Sequence, residues 1–178
     1  MTGTYDTRDI KSWAGKVRAG DEILLSGVVY TARDAAHKKI AALLADGAPL
    51  PFDIAGAVIY YAGPTPAKPG AVCGSFGPTT SCRMDSFAPA LYDLGLGATI
   101  GKGGRSEAVN EAIARNGALY LIAIGGAGAI AAKHIVSLEE TAFEELGCES
   151  IKRLEFASFP LIVATDSHGN DIYKRERI

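Results

Sequence analysis

Gly74-Ser75-Phe76-Gly77-Pro78-Thr79-Thr80-Ser81-Cys82-Arg83-Met84-Asp85 lies between a strand-like run and a helix-like run. Its glycines and proline fix an unusual backbone path. Thr79, Thr80 and Ser81 stand in a row where a core strand would carry apolar side chains. Such a turn either grips a polar ligand or is a polar loop whose serine or threonine caps the next helix.

Upstream, Glu22 to Tyr30 reads as a strand, with Gly27 as a bulge or a point of close approach. Thr31-Ala32-Arg33-Asp34 fits a capping box, and Ala36, Ile40, Leu43 and Leu44 continue at helical spacing. Arg33 then falls in a first helical turn. Free amides and the helix dipole favour an anion there, so an anionic ligand would suit Arg33. His37 follows one turn later. Ile54 to Ala62 reads as a buried strand, and the three prolines between Gly63 and Gly70 demand an extended loop.

Downstream, a helix carries Phe87, Ala90, Leu91 and Leu94 and stops at Gly95. Ala98 to Ile100 is a short strand leading into Gly101-Lys102-Gly103-Gly104. This run fails the P-loop pattern but lifts a lysine on a backbone bare of side chains. A helix capped by Ser106 and stopped by Gly117 precedes the apolar strand Ala118 to Ile124. Gly125-Gly126-Ala127-Gly128 is not a dinucleotide fingerprint and suits a tight strand-to-helix turn. Helices are predicted over 130–134 and 139–146, strands over 151–157 and 161–165, and a turn over 166–170. Strands alternating with helices predict an α/β domain with a mixed, largely parallel sheet. Arg33, the Thr79–Arg83 turn and Lys102 would lie near strand C-terminal ends, where such folds gather ligands.

Composition agrees with one domain spanning residues 1–178. Of 178 residues, 48% are hydrophobic and 21% charged, with a net charge of −2, enough apolar material for a core and no basic nucleic-acid surface. Cys73, Cys82 and Cys148 form no CxxC pair and no zinc or cluster spacing, so no metal ligands are expected. The odd thiol count and the absence of a secretory leader favour a reducing, cytoplasmic setting. The apolar runs are too short to span a bilayer.

Three blocks together resemble one family: Leu25-Ser26-Gly27 with Thr31-Ala32-Arg33-Asp34-Ala35-Ala36-His37-Lys38-Lys39, then Gly77-Pro78-Thr79-Thr80-Ser81-Cys82-Arg83-Met84-Asp85, then Gly101-Lys102-Gly103. They look like the β subunit, or C-terminal domain, of class I fumarate hydratases and the related L-tartrate dehydratases, over residues from about 8 to the end. The resemblance implies a swivelling β/β/α fold. It implies an α-subunit partner whose three cysteines hold an oxygen-sensitive 4Fe-4S cluster, so that the cofactor is not bound by this chain. It implies Thr79 as the proton-abstracting base and Arg33, Arg83 and Lys102 as carboxylate binders, with Thr80, Asp85 and His37 in support. The reaction implied is the reversible dehydration of (S)-malate to fumarate. Tartrate or mesaconate hydro-lyase is one alternative, and a non-catalytic swivelling domain that binds a partner or organic anion is another. A hetero-oligomer is expected, with β–β dimerisation an added arrangement. Cys82 departs from the family's usual glycine. If that position needs φ > 0, cysteine would add strain of about 1 kcal/mol or more.

Overall fold

The computed structural model describes residues 3–174 apart from Gly125 and Ala127, so half of the predicted 125–128 turn lies outside the described residues. Seven strands are present there: β1 (Gly3–Asp6), β2 (Glu22–Thr31), β3 (Val58–Tyr60), β4 (Ala98–Gly101), β5 (Leu119–Ile122), β6 (Ile135–Ala142) and β7 (Ile151–Thr165). The helices are α1 (Ile10–Trp13), α2 (Asp34–Ala45), α3 (Ala88–Asp93), α4 (Glu107–Asn116) and α5 (Gly128–Ala132).

β1, β2, β3, β4 and β5 pair in parallel, in that order. β7 pairs antiparallel with β5, with β6 and also with β2. The run β2–β3–β4–β5–β7 therefore closes on itself. Alternation along the strands divides the core in two, because successive side chains point to opposite faces. Val58, Tyr60, Ala98, Ile100, Leu119 and Leu121 meet Leu25, Val29, Leu154 and Phe156 inside the ring. Ile59, Tyr61 and Tyr120 face outward and pack on Ala36 and Ile40 of α2, Leu91 of α3, and Val109 and Ile113 of α4. The sheet is mixed and mostly parallel, as predicted.

Gly27 stands at φ +101, at a shift in the β2–β7 register, and a Cβ there would lie 2.4 Å from Thr7 Oγ1. Both halves of the expectation for this glycine hold. Gly117, at φ +61, ends α4 as predicted.

Three elements differ from the sequence expectation. The 139–146 segment is not a helix. Strand β6 runs to Ala142 and a 3-10 turn occupies Glu144–Glu149. Glu139 and Glu140 sit opposite Arg153 and Lys152 of β7, and that cross-strand pairing of opposite charges overrides local helix preference. The two strands predicted over 151–165 are one, β7, in which Ser158 at φ +50 absorbs the extra residue opposite Leu25–Gly27. The capping box is absent. Thr31 ends β2, where its hydroxyl donates to Ser150 O at 3.1 Å and accepts from Lys152 N at 2.9 Å. It serves the β2–β7 seam, because strand pairing extends one residue further than the pattern suggested.

Candidate functional site

β2, β3 and β4 are adjacent parallel strands, and the loops leaving their C-terminal ends carry the candidate residues. The loop after β3 returns to the sheet through Phe76, which is fully buried in the interior cluster. Its carbonyl accepts from Tyr60 Oη at 2.8 Å and its amide donates to Gly128 O at 2.9 Å. The chain then threads between two strand ends. Pro78 bridges Ala62, and Thr79 N donates to Tyr61 O at 2.6 Å. Thr80 bridges Lys102, and Ser81 N donates to Lys102 O at 3.0 Å. Thr79, Thr80 and Lys102 are thus stitched together by backbone. The Thr79 hydroxyl makes no hydrogen bond among the described residues.

Buried Ser81 fixes this seam. Its Oγ accepts from Lys102 N at 3.1 Å and lies 2.9 Å from Tyr120 Oη, which is 2.6 Å from Gly103 O. A carbonyl only accepts, so the tyrosine proton goes to Gly103 and the serine proton to the tyrosine oxygen. A Cβ on Gly101 would fall 1.9 Å from Ser81 Oγ and 3.1 Å from the Tyr61 ring. Gly101→Ala is therefore expected to cost roughly 1–3 kcal/mol through overpacking and to push Ser81 off Lys102. Thermal unfolding checks this; a Tm equal to the parent's would show that the loop yields freely.

The 3-10 turn Ser81–Met84 follows and carries Arg83 outward. Arg83 Nε donates to Asp34 Oδ1 at 2.9 Å and its Nη2 lies 2.8 Å from Oδ2, tying this loop to the start of α2. Arg33 stands just before α2, with Nη2 3.4 Å from Glu149 Oε1 and a buried Nε that has no hydrogen-bond partner. The anion expected at this helix start is Glu149 of the same chain, whose Oε2 accepts from Ala35 N at 3.0 Å. Lys102 is exposed and forms no ion pair among the described residues. Cys82 is exposed. Phe143 and Ser158 are the non-glycine residues with positive φ among those described, so the strain anticipated at Cys82 does not arise.

Asp85 and His37 lie beneath this surface. Asp85 accepts from Arg105 Nε at 2.7 Å and from Ser106 N at 2.7 Å, so it starts α4 where a serine cap was expected. The Arg105 side chain has no exposed surface. It also reaches Thr99 Oγ1 at 3.0 Å and lies over the Tyr61 and Tyr120 rings. Arg105, Tyr120 and Glu149 were missed from sequence because each acts through partners remote along the chain.

His37 is buried against Tyr61 and Phe87, with Nδ1 2.9 Å from Arg33 O and Nε2 unpartnered. The carbonyl only accepts, so Nδ1 carries the proton and the ring is neutral. Burial, partly opposed by the Arg33 carbonyl, lowers its pKa to about 4 from 6.5. The unfolded chain therefore binds this proton below about pH 6.5 while the folded chain resists until about pH 4. His37 contributes stability at neutral pH that is lost as the pH falls through this window. At pH 5 the loss is roughly 2 kcal/mol. Urea unfolding at pH 7.5 and pH 5.0 should show it, and His37→Leu should shrink the difference; an unchanged difference would exclude this role.

Among the described residues no group of three or more His, Cys, Asp or Glu is placed to hold a metal ion, and Cys73, Cys82 and Cys148 are free thiols. No helix there is long and apolar enough to cross a membrane.

Two arginines, a lysine and a row of hydroxyls thus stand near neighbouring strand ends of a mixed, mostly parallel α/β domain, and arginine is a side chain whose fork matches a carboxylate. Residues 4–176 match the family described as Fumarase C-terminus, and the chain belongs to that family. It is 40% identical over 176 residues to fumarate hydratase 2 of Leishmania major, covering 94% of this chain and 31% of that protein. It is 41% identical over 173 residues to the putative L(+)-tartrate dehydratase subunit beta of Methanocaldococcus jannaschii, covering 94% of this chain and 87% of that one. The anaerobic class I fumarate hydratase of Escherichia coli is 37% identical over 171 residues, 94% of this chain and 31% of its own length. The chain thus spans under a third of the fumarate hydratases it matches and most of the tartrate dehydratase subunit.

Proposed function

We propose that this chain is the β subunit of a two-subunit 4Fe-4S hydro-lyase that reversibly dehydrates (S)-malate to fumarate. The observation that carries the reading is the joining of three sequence-distant segments, those of Arg33, of Thr79 and Arg83, and of Lys102. Thr79 is stitched to Lys102 through the Thr80–Ser81 backbone, and Arg83 is tied to the Arg33 loop through Asp34. Arginine forks match carboxylates bidentately, and Lys102 adds a mobile point charge. Cations there stabilise the charge that builds on a carboxylate as the neighbouring C–H bond breaks. Thr79 takes that proton, and the C–H electron pair becomes the new C=C bond as hydroxide leaves.

Among the described residues no His, Cys, Asp or Glu group is placed to hold a metal ion, and in this reading the cluster sits on an α-subunit partner. There it would supply the Lewis acid for the leaving hydroxyl. A threonine alkoxide is hard to form, so an acidic group from the partner is needed to activate Thr79. The proposed setting is the cytoplasm.

A tartrate-specific enzyme is the second reading. It is favoured by the match to most of the M. jannaschii subunit's length. Anaerobic assay of the chain reconstituted with a cluster-bearing partner, against malate, tartrate and mesaconate, ranks the substrates. The isolated chain should be inactive, and turnover without partner or iron would refute the subunit role. Failure on all three substrates by a correctly assembled complex would favour a non-catalytic anion- or partner-binding domain.

A further inference from the structure

We propose that Asp34 and Glu149 are positioning residues that hold Arg83 and Arg33 on one frame, the first turn of α2. The inference rests on the reading of these arginines as carboxylate binders. Asp34 is the first residue of α2; its Oδ1 accepts from Arg83 Nε at 2.9 Å, and its Oδ2 lies 2.8 Å from Nη2 as an ion pair without hydrogen-bond geometry. A guanidinium is a rigid plane with five N–H donors. Occupying its side edge sets the plane and leaves Nη1, with the outer N–H of Nη2, for a ligand. The Arg83 side chain is half exposed, so without Asp34 little else among the described residues restrains it.

Glu149 comes from the turn before β7, 114 residues away from the helix it caps. One oxygen accepts from Ala35 N at 3.0 Å and the other lies 3.4 Å from Arg33 Nη2. The backbone amide and the helix dipole hold the carboxylate in place, and the carboxylate holds the arginine. Two arginines on separate loops thereby acquire a fixed relation through a single helix end. The opposite role, acids that compete with the ligand for the arginines, fits less well. Asp34 covers one edge of Arg83, and Glu149 reaches a single nitrogen of Arg33 while bonded elsewhere.

The test uses the reconstituted complex and the isosteric variants Asp34→Asn and Glu149→Gln. Both variants keep the side-chain shape and remove the charge, and Glu149→Gln keeps an acceptor for Ala35 N at the start of α2. The expected result is a fall in kcat/KM of roughly tenfold or more, carried by KM with kcat little changed. In the Arg83→Lys background, Asp34→Asn should add no further loss, because it acts through Arg83. In the isolated chain, the Arg83 Nε–H NMR signal should exchange slowly with solvent and become fast in Asp34→Asn. Parent-like KM in both variants, a lowered KM, or unchanged Nε–H exchange would each overturn the proposal. Arg83→Ala separates this from the underlying reading. If that variant keeps full activity, the carboxylate-binding assignment itself falls; if it loses activity while Asp34→Asn and Glu149→Gln do not, only the positioning role falls.

Discussion

Thr79→Ala in the reconstituted complex is expected to lower kcat by roughly 10²–10⁴-fold, the usual contribution of a positioned base. Its effect on stability should stay within about 0.5 kcal/mol. The two expectations separate because Thr79 is anchored by its backbone. Its amide donates to Tyr61 O at 2.6 Å, a bond that alanine keeps. The hydroxyl bonds to nothing among the described residues, so its removal leaves no buried partner unsatisfied. Thr79→Ser, which keeps the hydroxyl, should recover much of the rate. Thr80→Ala should lose less. Thr80 is exposed, and it joins Lys102 through backbone, which the substitution leaves intact. Activity of Thr79→Ala within threefold of the parent, or a larger loss in Thr80→Ala, would remove Thr79 from the base's role.

The largest stability effect should come from Asp85→Ala, at roughly 3–5 kcal/mol, a large share of a domain's usual 5–15 kcal/mol. Asp85 sits 2.7 Å from Arg105 Nε, and the Arg105 side chain has no solvent exposure. Removing the carboxylate strands a buried cation, which costs more than the pair contributed. The same change frees Ser106 N, held at 2.7 Å at the start of α4. Urea unfolding measures the loss. Replacing both partners, Asp85→Ala with Arg105→Met, should recover part of it, since no charge is then left buried. A loss below about 1 kcal/mol for Asp85→Ala alone would mean that water reaches Arg105. Because Thr99, Tyr61 and Tyr120 surround the same guanidinium, the damage should spread to the Ser81–Lys102 seam.

These predictions separate Thr79, on the exposed strand ends, from Asp85, in the layer that supports them. The sequence ranks both as site residues because they share one motif. Six positions apart, they point to different fates. Thr79 follows a residue bridged to Ala62 at the mouth of the sheet, whereas Asp85 follows a 3-10 turn that sets it against the start of α4. His37 shows the same effect. Its motif places it one turn beyond Arg33, yet the helix rotates it into the outer core, where burial keeps it neutral.

Local patterning sufficed for the alternation of strands and helices, the stops at Gly95 and Gly117, the close approach at Gly27 and the placing of Thr79 and Lys102 near strand ends, whereas Arg33, expected inside the first turn of α2, stands just before it. Side-chain period, glycine's backbone freedom and proline's fixed φ are properties of neighbouring residues, so they can be read along the chain. Tertiary structure alone decided that β7 closes the sheet onto β2, that 135–142 is a strand, and that Glu149 fills the anion position at α2. It also decided that Asp85 serves Arg105. In each case the deciding partner lies far away in sequence. A carboxylate or strand edge settles against whichever charge or backbone the fold brings within about 3 Å, and no local pattern carries that distance.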